Sequence, residues 1–208
     1  MAWEYGQDIW NYLMTLIENE YGVAGLMGNL LAESRLLPFR LQGDMDAEHN
    51  YPRSHEYSAD VNDGTISEHQ FVTDSKGYGL AQWTIEPRKQ GLYDYTIGRG
   101  YGVDQLYPQL EFLQHELETD FFDVLHTLVL ATSIREASDK VLHDFENPKE
   151  QGEAVEIYRA NLSIEVYNTY SGSPPVPPIP PVPPHKRGKM PLYFYTIKRF
   201  KIKRGFKL

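Results

Sequence analysis

Cysteine is missing altogether from these 208 residues. That excludes disulfides, thiol nucleophiles and cysteine-held zinc, and it leaves the redox compartment unreadable. Long apolar runs are missing as well: nothing approaches the roughly 20 residues that a bilayer-spanning helix needs. The opening Met1-Ala-Trp-Glu-Tyr-Gly6 has neither the basic start nor the apolar stretch of a signal peptide, so neither a membrane span nor an export signal is expected. One sign of charge is absent from the end of the chain. Residues 185–208 hold 9 Lys+Arg and no acid, whereas residues 1–184 hold 11 Lys+Arg against 29 Asp+Glu, a net of −18. The overall −9 averages two unlike parts.

What is present is a foldable chain: 41% hydrophobic and 24% charged residues are near the averages of globular proteins. The run 174–184 has eight prolines in eleven residues. Proline removes the backbone donor and fixes φ, so this run can be neither helix nor inner strand and reads as an extended polyproline spacer. The expected organisation is a domain over 1–172, a proline-rich linker over 173–185 and a basic tail over 186–208.

Helical signals dominate the domain. Ile9, Trp10, Leu13, Leu16 and Ile17 recur at helical spacing, as do Val23, Leu26, Met27, Leu30 and Leu31. The second stripe is interrupted by Gly25, Gly28 and Ala32, which implies close approach of another backbone. Residues 39–76 are polar, with no persistent stripe, and are expected to be loops and short strands covering or lining a site. Helices are expected again around 88–99, 104–118 and 121–130. Ser133 to Glu136 reads as a capping box, Asn147-Pro148 as a cap with a first-turn proline, and Val155, Tyr158, Leu162, Val166 and Tyr170 as the stripe of a last helix. The sum is a mostly α domain of six or seven helices with one polar excursion.

Glu33 is the foremost candidate for chemistry. It stands at the edge of the Leu26 and Leu30 stripe near a helix end, where partial burial would suit a general acid. Position alone favours a solvated glutamate in the last turn, because most helical glutamates are merely exposed. Its neighbours carry more information. Ala32-Glu-Ser-Arg-Leu-Leu-Pro38 resembles the Glu-Ser-x-Leu-x-Pro pattern of goose-type lysozymes and lytic transglycosylases, and Gly77-Tyr-Gly-Leu-Ala-Gln-Trp83 resembles their cleft-lining Gly-Leu-Met-Gln segment. Together with Arg88-Lys-Gln-Gly-Leu-Tyr-Asp-Tyr95, Gln109-Leu-Glu-Phe-Leu-Gln-His-Glu-Leu117 and Thr132-Ser-Ile-Arg-Glu-Ala-Ser138, these blocks resemble the phage tail lysozyme family over roughly residues 7–170.

The resemblance implies an α+β lysozyme-like fold and an N-acetylmuramidase-type hydrolase. The implied substrate is bacterial peptidoglycan, cut between N-acetylmuramic acid and N-acetylglucosamine. Glu33 takes the place of the general acid, and Tyr78, Gln82 and Trp83 fall in the substrate-binding block, where core packing is the rival role for Trp83. An inverting hydrolase also needs a base roughly 6.5–9.5 Å from the acid. Asp74, just upstream of the glycine block, is the first choice and Asp63 the second, although an Asx turn explains Asp74 almost as well. A lytic transglycosylase needs no such base, because the sugar's own 6-hydroxyl closes a ring. No cofactor is implied. A metal is not expected either: Asp44, Asp46 and Glu48 lack a glycine at the sixth loop position, where His49 stands, and His55 and His69 lack zinc-hydrolase spacing.

The tail sets aromatic and β-branched residues beside Lys and Arg, with strict alternation from Arg199 to Lys203. Anionic wall polymers and other virion proteins are its expected partners, and nucleic acid is not. The expected settings are a phage virion acting on the bacterial wall, or the host cytoplasm before lysis. The rival of another class is a virion structural or wall-binding protein that keeps the fold without activity.

Overall fold

The computed structural model describes residues 3–44, 50–148 and 150–181. The basic tail and most of the 44–49 acidic cluster lie outside the described residues. Nine α-helices follow one another among them: α1 (Gly6–Ile17), α2 (Glu20–Ser34), α3 (Pro52–Asn62), α4 (Glu68–Thr73), α5 (Glu86–Tyr95), α6 (Leu106–Glu118), α7 (Phe122–Leu130), α8 (Ile134–Lys140) and α9 (Glu153–Tyr170). A 3-10 turn spans Ile97–Arg99 and a π turn Val141–Glu146. The domain is mostly α, as expected, with more helices than the six or seven anticipated.

Both additional helices, α3 and α4, fall in the polar stretch. Helix α3 buries Ser54, Tyr57, Ser58 and Val61, a helical spacing written in residues that no apolar pattern would register. Polar partners make that burial tolerable. Asp44 Oδ2 accepts from the Ser54 N–H and hydroxyl, both at 2.7 Å, and the Ser58 hydroxyl meets the Tyr78 hydroxyl at 2.5 Å. Helix α4 starts in a capping box between Ser67 and Gln70. Among the described residues, the strand content of the region shrinks to isolated bridges, Leu41 with Tyr78 and Tyr78 with Trp83.

Helix α2 is the centre of the domain. Its N-cap Asn19 accepts from the Tyr21 N–H at 2.9 Å while its side-chain NH2 donates to Val129 O at 3.0 Å and Ala131 O at 2.9 Å, which ties the start of α2 to the end of α7. Helices α1, α7, α8 and α9 surround it. The close approach implied by its small residues is present: a Cβ on Gly25 would stand 2.5 Å from Ala137 Cβ, and one on Gly28 would stand 2.4 Å from Ser163 N.

That closeness revises the face of α9. It buries Ile157, Ala160, Ser163, Ile164, Val166 and Tyr167, while Tyr158, expected in the stripe, is exposed. Small residues face α2 because two backbones cannot approach over large side chains. Asn147 is corrected too. It closes the π turn in the left-handed region at φ 44, and α9 begins only at Glu153 after Gly152. At α8, Ser133 caps Glu136 N as expected, but the Glu136 carboxylate reaches Thr132 N and Oγ1, both at 2.9 Å.

Gly28→Ala is therefore expected to lower stability by about 1–3 kcal/mol through overpacking against Ser163. Thermal denaturation would read this as a fall in Tm of several degrees. A Tm equal to wild type would show that α9 can give way.

Candidate functional site

Glu33 lies in the last turn of α2, 23% exposed at its side chain. That turn is held firmly. Ser34 Oγ bonds Leu30 O at 3.0 Å, Arg35 N bonds Leu31 O at 3.0 Å, and both Arg35 and Leu36 adopt positive φ, 60° and 61°. Two consecutive non-glycine residues in the left-handed region are a strained chain reversal, kept here because Leu36 is fully buried. One oxygen of Glu33 accepts from the Arg159 guanidinium of α9, and Arg159 also donates to Asn29 O at 3.0 Å.

A second carboxylate belongs to this cluster. Glu146, the last residue of the π turn, has an Oε1 sealed from solvent with no hydrogen-bond partner among the described residues. Burial pushes its pKa up to about 8 from an ordinary 4.5. The negative charge of Glu33 adds to the rise, and Arg159 and Arg88 oppose it. π turns recur at functional sites because the extra residue redirects a side chain. Nothing in the sequence singled out Glu146. Its local sign is the Glu-Asn-Pro segment, a helix ending whose residues also fit a cap with a first-turn proline.

The cluster continues to the glycine-rich block. Arg88 forks onto Glu116, Nε to Oε1 at 2.6 Å and Nη2 to Oε2 at 3.0 Å, and Trp83 Nε1 donates to the same Oε2 at 2.8 Å. Glu116 also raises Glu146, so Glu33, Arg159, Glu146, Arg88 and Glu116 form one electrostatic neighbourhood.

The block itself is built inward. Tyr78 and Trp83 are fully buried in the core and exchange two backbone bonds with each other, at 3.1 and 3.0 Å. Neither ring has a surface to offer a sugar: Tyr78 departs from its expected place in the cleft lining, and Trp83 takes the core-packing role that was its alternative. Burial also raises the pKa of the Tyr78 hydroxyl. Gln82 is partly exposed at φ 47, and its side-chain NH2 donates to Arg40 O at 3.0 Å and Gly79 O at 3.1 Å. Its amide thus clamps the loop before α3 onto the block.

Asp74 has its acceptors taken. Oδ1 receives Lys89 Nζ and, at 3.0 Å, the Lys76 N–H; Oδ2 receives the Tyr57 hydroxyl. Lys89 is fully buried, and this carboxylate is its ion-pair partner. The Lys76 bond is the Asx turn considered as the alternative. Asp63 is exposed, with Oδ1 accepting from Thr65 N at 2.9 Å. Asp44 serves α3, and His55 stacks on Phe39 at 4.3 Å. Among the described residues, no group of three His, Cys, Asp or Glu could hold a metal; Asp46, Glu48 and His49 lie outside them. A surface concavity at the start of α6, lined by Tyr5, Tyr101, Asp104, Tyr107 and Glu111 among others, includes none of the Glu33 cluster.

The model of the phage tail lysozyme family matches residues 4–170. The chain belongs to the phage tail lysozyme family. Its match ends at the last residue of α9, so every element that builds the Glu33 cluster lies within it. Family membership makes this a lysozyme-like domain acting on peptidoglycan. No curated protein matches the chain.

Two outcomes follow from these environments. Asp74→Asn should cost about 3 kcal/mol in chemical denaturation, because it strands the buried Lys89 charge; a base without a structural role would leave stability untouched. For Glu146, a folded pKa above the unfolded value means the folded state binds the proton more tightly. The stabilisation is complete below about 4.5 and is lost as pH rises through about 8. The Tm of wild type should therefore fall over that window relative to Glu146→Gln, and parallel curves would contradict it.

Proposed function

We propose that the domain is a glycosidase cleaving the N-acetylmuramic acid to N-acetylglucosamine bond of peptidoglycan, with Glu33 protonating the leaving oxygen. The observation that carries this reading is a partly exposed Glu33 at the end of α2 whose charge acts on Glu146, one oxygen of which is sealed from solvent. A general acid needs a proton at neutral pH. Glu146 retains one there, beside the Glu33 carboxylate, because burial and the Glu33 charge both disfavour its ionisation. Arg159 fixes the rotamer of Glu33 and balances its charge once the proton has left. Glu146 is proposed as a positioning residue, which acts through Glu33 and does not touch the sugar.

Two observations bear on the alternative of a lytic transglycosylase on the same bond. Asp74 is tied to Lys89, Tyr57 and the Lys76 N–H, and Glu146 has one oxygen sealed beside Glu33. Asp74 is committed to these partners and Glu146 holds its proton at neutral pH, which favours ring closure by the 6-hydroxyl of the muramic acid itself. The family's name supports a virion-borne enzyme that acts on the cell wall. Peptidoglycan is the proposed substrate in either chemistry, and a non-catalytic wall-binding role is the outcome that the experiment below would reveal.

Purified protein incubated with peptidoglycan should release muropeptides, and Glu33→Gln should release them at least about 100-fold more slowly. Products with reducing ends indicate hydrolysis, and products lighter by one water indicate the transglycosylase. Equal inertness of both proteins would sink the enzymatic reading.

A further inference from the structure

The proline-rich run does not leave the domain as a free spacer. It turns back at Ser171–Ser173 and lies antiparallel along α9. Asn168 accepts from the Val176 N–H at 2.7 Å through Oδ1 and donates to Val176 O at 2.8 Å through Nδ2. Asn161 repeats the same two-bond ring with Ile179, at 2.6 and 3.0 Å. Ser173 Oγ adds a bond to Glu20 Oε2 at 2.8 Å.

The two periodicities match. Asn161 and Asn168 are two helical turns apart, about 10.5 Å along the axis. Val176 and Ile179 are one polyproline II turn apart, about 9.3 Å. Ser173, Val176 and Ile179 are half-buried while all the prolines from Pro174 to Pro181 are exposed, which is the threefold pattern of such a helix lying on a surface. Proline has no N–H, so Val176 and Ile179 supply the only backbone donors between residues 174 and 181, and each meets an asparagine. Their side chains pack at the edge of the core.

We propose that the α9 face bearing Asn161 and Asn168 is a recognition site for a polyproline II segment with free N–H groups three residues apart, occupied in cis by residues 174–181. The occupant is read by its two amides, not by its proline content. A preformed extended segment loses little entropy on docking, so four hydrogen bonds and two apolar anchors suffice. The consequence is one of direction. A free run of this length would carry whatever follows it roughly 25 Å out from the end of α9. The docked strap returns the chain toward the start of α9, the end nearer to Arg159.

The absence of cysteine makes a distance test simple. Spin labels on introduced T169C and P181C, both at exposed positions in full-length protein, should give one narrow distance distribution. N161A/N168A should broaden it severalfold. V176P/I179P should do the same while making the run a purer polyproline, and it alters no residue of the helical domain. A narrow distribution retained in V176P/I179P would show that a proline rod merely packs there, and would overturn the proposal. So would a broad distribution in the wild type. Loss of the short distance on dilution with unlabelled protein would show that the occupant is the run of a second copy, which also overturns the cis assignment.

Discussion

The close packing of α2 against α8 and α9 is the constraint on which the rest of this domain depends. Gly25 and Gly28 let the backbones of Ala137 and Ser163 approach within the space of a methyl group. That approach sets the height at which α9 passes the end of α2, and so brings the Arg159 guanidinium to Glu33. The same packing holds the π turn between α8 and α9 in a register that seals one oxygen of Glu146 beside this pair. A looser packing would let water solvate both carboxylates, and with solvation the reason for Glu146 to keep its proton at neutral pH would vanish.

Charge inside this domain is managed in two ways that differ in purpose. Asp74 with Lys89, and Glu116 with Arg88 and Trp83, are satisfied arrangements in which each acceptor has its donor. They join elements distant in sequence: Asp74 and Tyr57 couple α3 and the end of α4 to α5, while Glu116 couples α6 to the glycine-rich block. Glu33 and Glu146 are the exception: Glu33 has the Arg159 guanidinium, but Glu146 Oε1 has no donor among the described residues, and the neighbouring Glu33 charge opposes its ionisation. Networks of the first kind specify the fold, and a conflict of the second kind stores a proton.

The legible parts of the molecule were those written in large apolar residues or in local chemistry. Helices α1, α2 and α5 to α9 followed from their stripes, with boundaries shifted by a few residues, and the interrupted stripe of α2 announced its close neighbour. Helix α3 was hidden because Ser54, Tyr57 and Ser58 do the packing, with hydroxyls satisfied by Asp44 and Tyr78. The aromatic residues of the Gly77 to Trp83 block are ambiguous in sequence for the opposite reason, and for Trp83 it is the core-packing alternative that the burial matches. Tyr78 and Trp83 look like sugar platforms in a short motif, yet each sends its one polar atom to a buried partner and the ring into the core.

By itself the sequence determined the helical class, the position of Glu33 at a helix end, and the chemistry of a proline run that cannot join a helix or sheet. Those follow from periodicity, from residue type and from missing backbone donors, all of which are local. Tertiary structure alone decided which acid keeps company with Glu33, that Asp74 serves Lys89, and that the proline run lies on α9 and not free of it. The first depends on burial beside the pair of Glu33 and Arg159, the second on Lys89 being brought within hydrogen-bond reach, and the strap on two helical pitches coinciding across a turn. Burial and partnership set the charge state of a carboxylate, and neither is a property of its neighbours along the chain.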